Sequence, residues 1–158
     1  MIEDHARLDA CLRRAEAGAS GIDAAAFEEF RGGLLRHIGM EEKILLPAAR
    51  ARRSGATLEI APRLKLEHSA LALLMVPTPT RALLAEIREL LGAHNLIEEG
   101  AGGLYDQCEE LLGADEAAML ERLRAAPPVP LAPHFDGPQV PRTAKAALHA
   151  AQHGSGAA

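Results

Sequence analysis

"HIGMEEKILLP", residues 37–47, decides how the rest of the chain is read. Its apolar residues keep helical spacing, and the stripe they continue runs Phe27, Phe30, Leu34, His37, Glu41, Ile44 in alternating steps of three and four. A histidine and a glutamate therefore fall on the face that a helix of a bundle buries. A lone buried carboxylate costs several kcal/mol or is neutralised by a shifted pKa, so Glu41 needs a compensating charge.

The same intrusion recurs in three further segments. Residues His5, Leu8, Leu12 and Ala15 form one stripe, and Leu64, His68, Leu71 and Met75 another. The longest runs Leu84, Ile87, Leu91, His94, Glu98, Ala101, Tyr105, Cys108, Leu112. No Lys or Arg occupies any of these stripes, which leaves a metal as the economical counter-charge for four imidazoles and two carboxylates. Height along a bundle supplies a separate test. In antiparallel neighbours, two residues lie level when the loop between them falls midway in sequence. His5 and His37 are centred on the break "GASGID", His37 and His68 on "RRSG", and His68 and His94 on the region just after "PTPT". All four histidines are thus predicted to share one layer, with Glu41 and Glu98 one turn away on the same faces.

Composition agrees with an all-α chain: 3% aromatic residues, no Trp, and abundant Ala, Leu, Glu and Arg without alternating β-branched runs. The reading is an up-down-up-down four-helix bundle over residues 1–124. Its helices run from about Ile2 to Ala17, from a start signal at Ser20 and Asp23 to about Arg50, from about Thr57 to Val76, and from "PTPT" to about Leu112. A short extra helix follows at 115–124. Residues 125–158 form a proline-rich linker or strap and a C-terminal tail of one or two frayed helical turns, since "PPVPLAPHFDGPQVP" at 127–141 cannot be helical.

With 158 residues, 48% of them hydrophobic, the chain suffices for one buried core. A net charge of −5 with dispersed Lys and Arg argues against a nucleic-acid partner. The N-terminus lacks a signal-peptide pattern and no stretch is long enough to span a membrane, so the expectation is a soluble cytoplasmic protein. Cys11 and Cys108 read as reduced, buried thiols. Ferritin-like sites are disfavoured because they use Glu-x-x-His, and no histidine here has Glu three residues before it.

"DHARLD" at 4–9, "HIGMEEKILLP" at 37–47, "EHSAL" at 67–71 and "HNLIEEGAGGLY" at 94–105 together resemble, in order and spacing, the hemerythrin-like HHE cation-binding domain family. The resemblance covers about residues 1–124. It implies two iron ions, with His5 and His37 on one, His68 and His94 on the other, and Glu41 and Glu98 bridging. Zinc is the alternative occupant. Oxygen-carrying members have a further histidine where this chain has Ala72. Of about twelve positions around two irons, about two then stay open, which favours a centre that handles or senses oxygen, nitric oxide, peroxide or iron over a plain carrier. Catalysis on peroxide or nitric oxide is one alternative. A redox-silent metal-stabilised module that docks a protein partner through its tail is another. The sequence is silent on oligomeric state.

Several nearby residues carry open readings. Glu67 is an additional ligand or an acceptor behind one, and Glu42 and Glu99 face solvent or bond to neighbouring ligands. Tyr105 packs, or hydrogen-bonds near the site. The glycines of "EEGAGGLY" each cost about 1 kcal/mol inside a helix, so Ala101 and Gly102 are expected either to leave a ligand pocket or to permit close packing. The tail pair His149 and His153 reads as a solvated helix face rather than a metal site.

Overall fold

The computed structural model describes residues 1–18 and 21–154. Among the described residues the fold is all-helical, with no β-strand. Helix α1 spans Ile2–Glu16 and α2 spans Ala24–Met40; a π-helical turn at Glu41–Leu45 joins α2 to α3, Leu46–Arg52. Helix α4 is Ala61–Leu74, α5 is Arg81–Glu99 and α6 is Leu104–Leu112. A 3₁₀ turn at Gly113–Asp115 leads to α7, Glu116–Arg124, and α8 spans Ala144–Gly154. Helices α1, α2, α4 and α5 make the bundle. The others prolong or cover it.

Local chemistry sets the ends. The Asp23 side chain accepts from the Ala26 backbone N–H at 3.0 Å, and Thr80 Oγ1 accepts from the Leu83 N–H at 3.1 Å, each satisfying a donor in a first helical turn. Ser20, the other half of the expected start signal, lies outside the described residues.

Two helices differ from the continuous rods that the stripes suggest. Pro47 has no N–H to offer the carbonyl of Lys43, and the chain answers with a π turn just before it, in which the Leu46 N–H reaches the Glu41 carbonyl. The second difference is a full break between α5 and α6. Gly102 adopts φ +73°, and a Cβ on Gly103 would stand 2.5 Å from the Ile97 carbonyl oxygen, so glycine is required at both. The glycines of "EEGAGGLY" are thus explained by a turn rather than by a pocket, and Ala101 is exposed within it.

The tail lies on the bundle as a strap. The Arg36 guanidinium donates to the carbonyls of Leu123, Arg124 and Ala126, Arg31 donates to that of Ala132, and the Phe135 N–H donates to Val76 at 3.0 Å. Beyond it the expected frayed turns are a helix of 11 residues, with Ala147 and Ala151 buried against α4. Residues 155–158 lie outside the described residues.

The core forms two apolar clusters. One gathers Leu8, Leu12, Phe27, Phe30, Leu34, Leu71, Leu74, Leu84 and Ile87 with the alanines of α8. The other gathers Met40, Leu45, Leu64, Leu104, Cys108, Leu112 and Met119. Their members alternate along the chain around His37, His68 and His94, so the polar layer lies between them.

Candidate metal centre

The structure brings all six singled-out residues together. His5, His37, His68, His94, Glu41 and Glu98 are all buried, the two glutamates fully. They form two overlapping clusters, His5–His37–Glu41–Glu98 and His68–His94–Glu41–Glu98, each able to place four donor atoms within 4.8 Å of one another. Glu41 and Glu98 belong to both, with one oxygen toward each histidine pair. Glu41 Oε1 lies 3.2 Å from His37 Nε2 and Oε2 lies 3.1 Å from His68 Nε2. Glu98 Oε2 lies 3.3 Å from His5 Nε2 and Oε1 lies 3.0 Å from His94 Nε2.

Every histidine turns Nε2 inward because a carboxylate holds its Nδ1. His5 pairs with Glu99 at 2.5 Å, His37 with Asp4 at 2.9 Å, His68 with Glu42 at 3.1 Å and His94 with Glu67 at 2.9 Å. These pairs run around the bundle in one direction. Helix α1 supplies Asp4 to His37 on α2, and the π turn supplies Glu42 to His68 on α4. Helix α4 then supplies Glu67 to His94 on α5, and α5 returns Glu99 to His5 on α1. Each carboxylate is the chain neighbour of a cluster residue, and adjacent helical positions point about 100° apart. One residue therefore faces the centre while the next faces the adjoining helix. Glu67 is in turn held by Arg63 at 2.9 Å, and Asp4 by Arg7 at 2.8 Å. Asp4 was not foreseen, although its place beside His5 repeats the pattern of Glu42, Glu67 and Glu99.

A metal fits this arrangement on geometric grounds. With Nδ1–H donating to a carboxylate, a neutral imidazole presents a bare lone pair at Nε2. His5 Nε2 and His37 Nε2 are only 2.8 Å apart, so two lone pairs would oppose each other without a proton or cation between them. Glu41 Oε2, Glu98 Oε1 and His68 Nε2 are buried yet satisfy no hydrogen bond, even though each lies within 3.5 Å of a partner atom. Their closeness without hydrogen-bond alignment means that they aim at shared points rather than at one another.

In the metal-free chain, protons supply the counter-charge. Burial opposes charging His37, but hydrogen bonds to Asp4 and Glu41 outweigh it and raise the ring to about 9. Burial likewise opposes charging His68, and Glu41, Glu42 and Glu98 carry it up to about 11. His94 is raised against burial by Glu67 and Glu98. Desolvation pushes Glu41 and Glu98 upward, yet the surrounding histidines hold both below the ordinary carboxylate range. Asp4 is held at about 2, since its bonds to His37 and Arg7 overcome burial.

Tyr105 does more than pack. Seven residues along a straight helix separate two Cα atoms by about 10 Å, but the break after α5 brings the Tyr105 hydroxyl to 3.2 Å from Glu98 Oε2 and 2.6 Å from Glu41 Oε1. Burial, then the charges of Glu41 and Glu98, push this phenol above its ordinary pKa, so it donates its proton in the metal-free chain.

On the side away from Tyr105, a cavity of about 140 Å³ reaches the layer. Leu8, Leu12, Leu34, Ile38 and Leu91 make its walls, and His5, His37 and His94 close its inner end. Asn95 also lines it, with an amide oxygen that is buried and has no hydrogen-bond partner. The tail histidines are elsewhere: the His149 and His153 rings lie tilted with centroids 4.4 Å apart on α8, and His134 pairs with Glu28 at 2.6 Å. Among the described residues no helix is long and apolar enough to cross a membrane. Comparisons of the chain with protein-family models, with curated proteins and with solved structures find no match, so what it shares with any family rests on the geometry of this His/Glu layer.

Proposed function

We propose that the layer is a non-haem di-iron centre of the hemerythrin-like type, which handles or senses a small molecule such as oxygen, nitric oxide or peroxide, or iron itself. The observation that carries this reading is the sharing of Glu41 and Glu98 between two four-residue clusters. A single ion needs only one cluster, whereas two carboxylates with an oxygen toward each histidine pair suit two ions bridged by both. His5 and His37 would then hold one ion and His68 and His94 the other.

Iron, when bound, supplies a redox-active Lewis acid able to take up or reduce such ligands. The chain does the rest. Asp4, Glu42, Glu67 and Glu99 fix the imidazole tautomers and make the rings better donors. The cavity, walled mainly by Leu8, Leu12, Leu34, Ile38 and Leu91, is wide enough for a diatomic or a peroxide. The same access would serve turnover of peroxide or nitric oxide as well as sensing.

Metal analysis with an ultraviolet-visible spectrum tests the reading. Two irons per chain and an oxo-bridge absorption that disappears on reduction are expected. Stoichiometric zinc without absorbance would replace this reading with a redox-silent, metal-stabilised module. Turnover of peroxide or nitric oxide by the iron form would favour catalysis over sensing.

A further inference from the structure

Hydrogen bonding alone does not explain where Tyr105 stands. Its hydroxyl oxygen is 2.6 Å from Glu41 Oε1, 3.0 Å from His5 Nε2, 3.2 Å from Glu98 Oε2 and 3.3 Å from His37 Nε2. A phenol donates one hydrogen bond and accepts two at most. Four close contacts exceed these three.

The four atoms also stand in a ring. His5 Nε2 is 2.8 Å from His37 Nε2, His37 Nε2 is 3.2 Å from Glu41 Oε1, and His5 Nε2 is 3.3 Å from Glu98 Oε2. Around an ion with ligand bonds of about 2.1 Å, adjacent corners of an octahedron are about 3.0 Å apart. Every spacing just given lies near that value. Three edges among the His5, His37, Glu41 and Glu98 atoms thus fit adjacent corners of an octahedron, and the Tyr105 oxygen, within 3.3 Å of all four atoms, stands where a ligand capping them would.

We propose that Tyr105 is a further metal ligand, bound as phenolate at the His5–His37 position and not at the His68–His94 position. This rests on reading the layer as a two-ion site. Binding replaces the O–H bond with a metal–oxygen bond, and the proton leaves to solvent. A bound cation reverses the local electrostatics that keep the phenol protonated in the metal-free chain.

Tyr105 packs with the apolar cluster of Leu45, Leu104 and Cys108, whereas Leu8, Leu12 and Leu34 of the cavity belong to the opposite cluster. With two imidazoles, two carboxylates and a bridging oxygen on that ion, the phenolate fills its sixth position, and the open position remains at the His68–His94 ion. The two positions become chemically unlike despite their matching histidine pairs.

The chain contains one tyrosine and no tryptophan, so a tyrosinate signal has a single source. The full chain is titrated with ferrous iron without oxygen and, separately, with zinc; the ultraviolet difference spectrum is read with whichever metal binds more tightly. A tyrosinate band that grows with added metal and levels at one per chain is expected. Oxidising the iron form should add a broad visible charge-transfer band carrying tyrosinate Raman modes. Tyr105→Phe, checked for helicity by circular dichroism, should lose these signals and bind one ion about tenfold more weakly. Metal uptake by the wild-type chain without a tyrosinate band overturns this inference and leaves the two-ion reading standing. Uptake of neither metal overturns both. The wild-type spectra decide the matter even where the variant does not fold.

Discussion

Phe27 and Phe30 are 0% exposed, and so are Glu41 and Glu98; the two pairs reach the same burial for opposite reasons. The phenylalanines belong to a cluster with leucines from all four bundle helices and are stabilised by leaving water, by roughly 1.5–3 kcal/mol each. The glutamates lose hydration, and beyond the hydroxyl of Tyr105 they recover it through histidines that must be protonated or through a cation between them. One region therefore holds the bundle together at any metal concentration or moderate pH, while the stability of the other is borrowed from what it binds. That contrast can be broken experimentally.

The largest effect is expected at Glu41, which serves both clusters. Glu41→Gln should abolish stoichiometric metal uptake at both positions. The stabilisation by metal, about 4 kcal/mol when the free ion stands at a thousand times its dissociation constant, should vanish from urea unfolding curves. A variant that still binds one equivalent tightly would show that the carboxylate is not shared.

Phe30→Ala provides the opposing case. It should remove about 3–5 kcal/mol by opening a cavity in the apolar cluster, and by the same amount with and without metal. A loss that depends on metal would mean that the two regions are coupled rather than merely stacked.

The regions should also part in their response to pH. In the metal-free chain His37 and His68 are raised to about 9 and about 11. Their contribution is complete below the unfolded value of about 6.5 and is lost as pH rises through those two values. Metal requires the same rings to be unprotonated, so its binding strengthens over the same rise. Melting temperatures measured with and without metal should therefore diverge as pH rises from about 6.5 toward about 11. Parallel curves would count against these imidazoles as ligands.

The positions of the six central residues were legible because both signals that place them are local. Helical spacing sets the face, and distance from the intervening loop sets the height. The break at Gly100–Gly103 was not, because the stripe of Glu98, Tyr105, Cys108 and Leu112 keeps its period straight through it. Only the left-handed φ of Gly102 and the absent Cβ of Gly103 reveal a turn there. With it went the position of the Tyr105 hydroxyl. Helix α8 was underestimated because an Ala-rich segment of its length is marginal in water, and its order comes from burying Ala147 and Ala151 against α4. The acidic residues beside the ligands were visible as "DH", "EE", "EH" and "EE", but which histidine each would reach depends on the order of helices around the bundle.

The ring of carboxylates supplies the finest distinction and the smallest expected effect. A partner behind a metal-bound histidine typically contributes 10–100-fold in affinity, and solvent screening weakens that contribution as the carboxylate becomes exposed. The Glu67 side chain is 9% exposed, whereas those of Glu42 and Glu99 are 33% and 34% exposed. Glu67→Gln should therefore fall near the upper end of that range and Glu42→Gln and Glu99→Gln near the lower end. Each should weaken the ion held by its own histidine and spare the other. The Glu99 variant reports on the His5–His37 position, and the Glu42 and Glu67 variants report on the His68–His94 position. Calorimetric titrations that resolve two binding events check both the ranking and the assignment. Equal losses at both events from any one variant would show that the ring acts as a general field of negative charge, not as four separate braces.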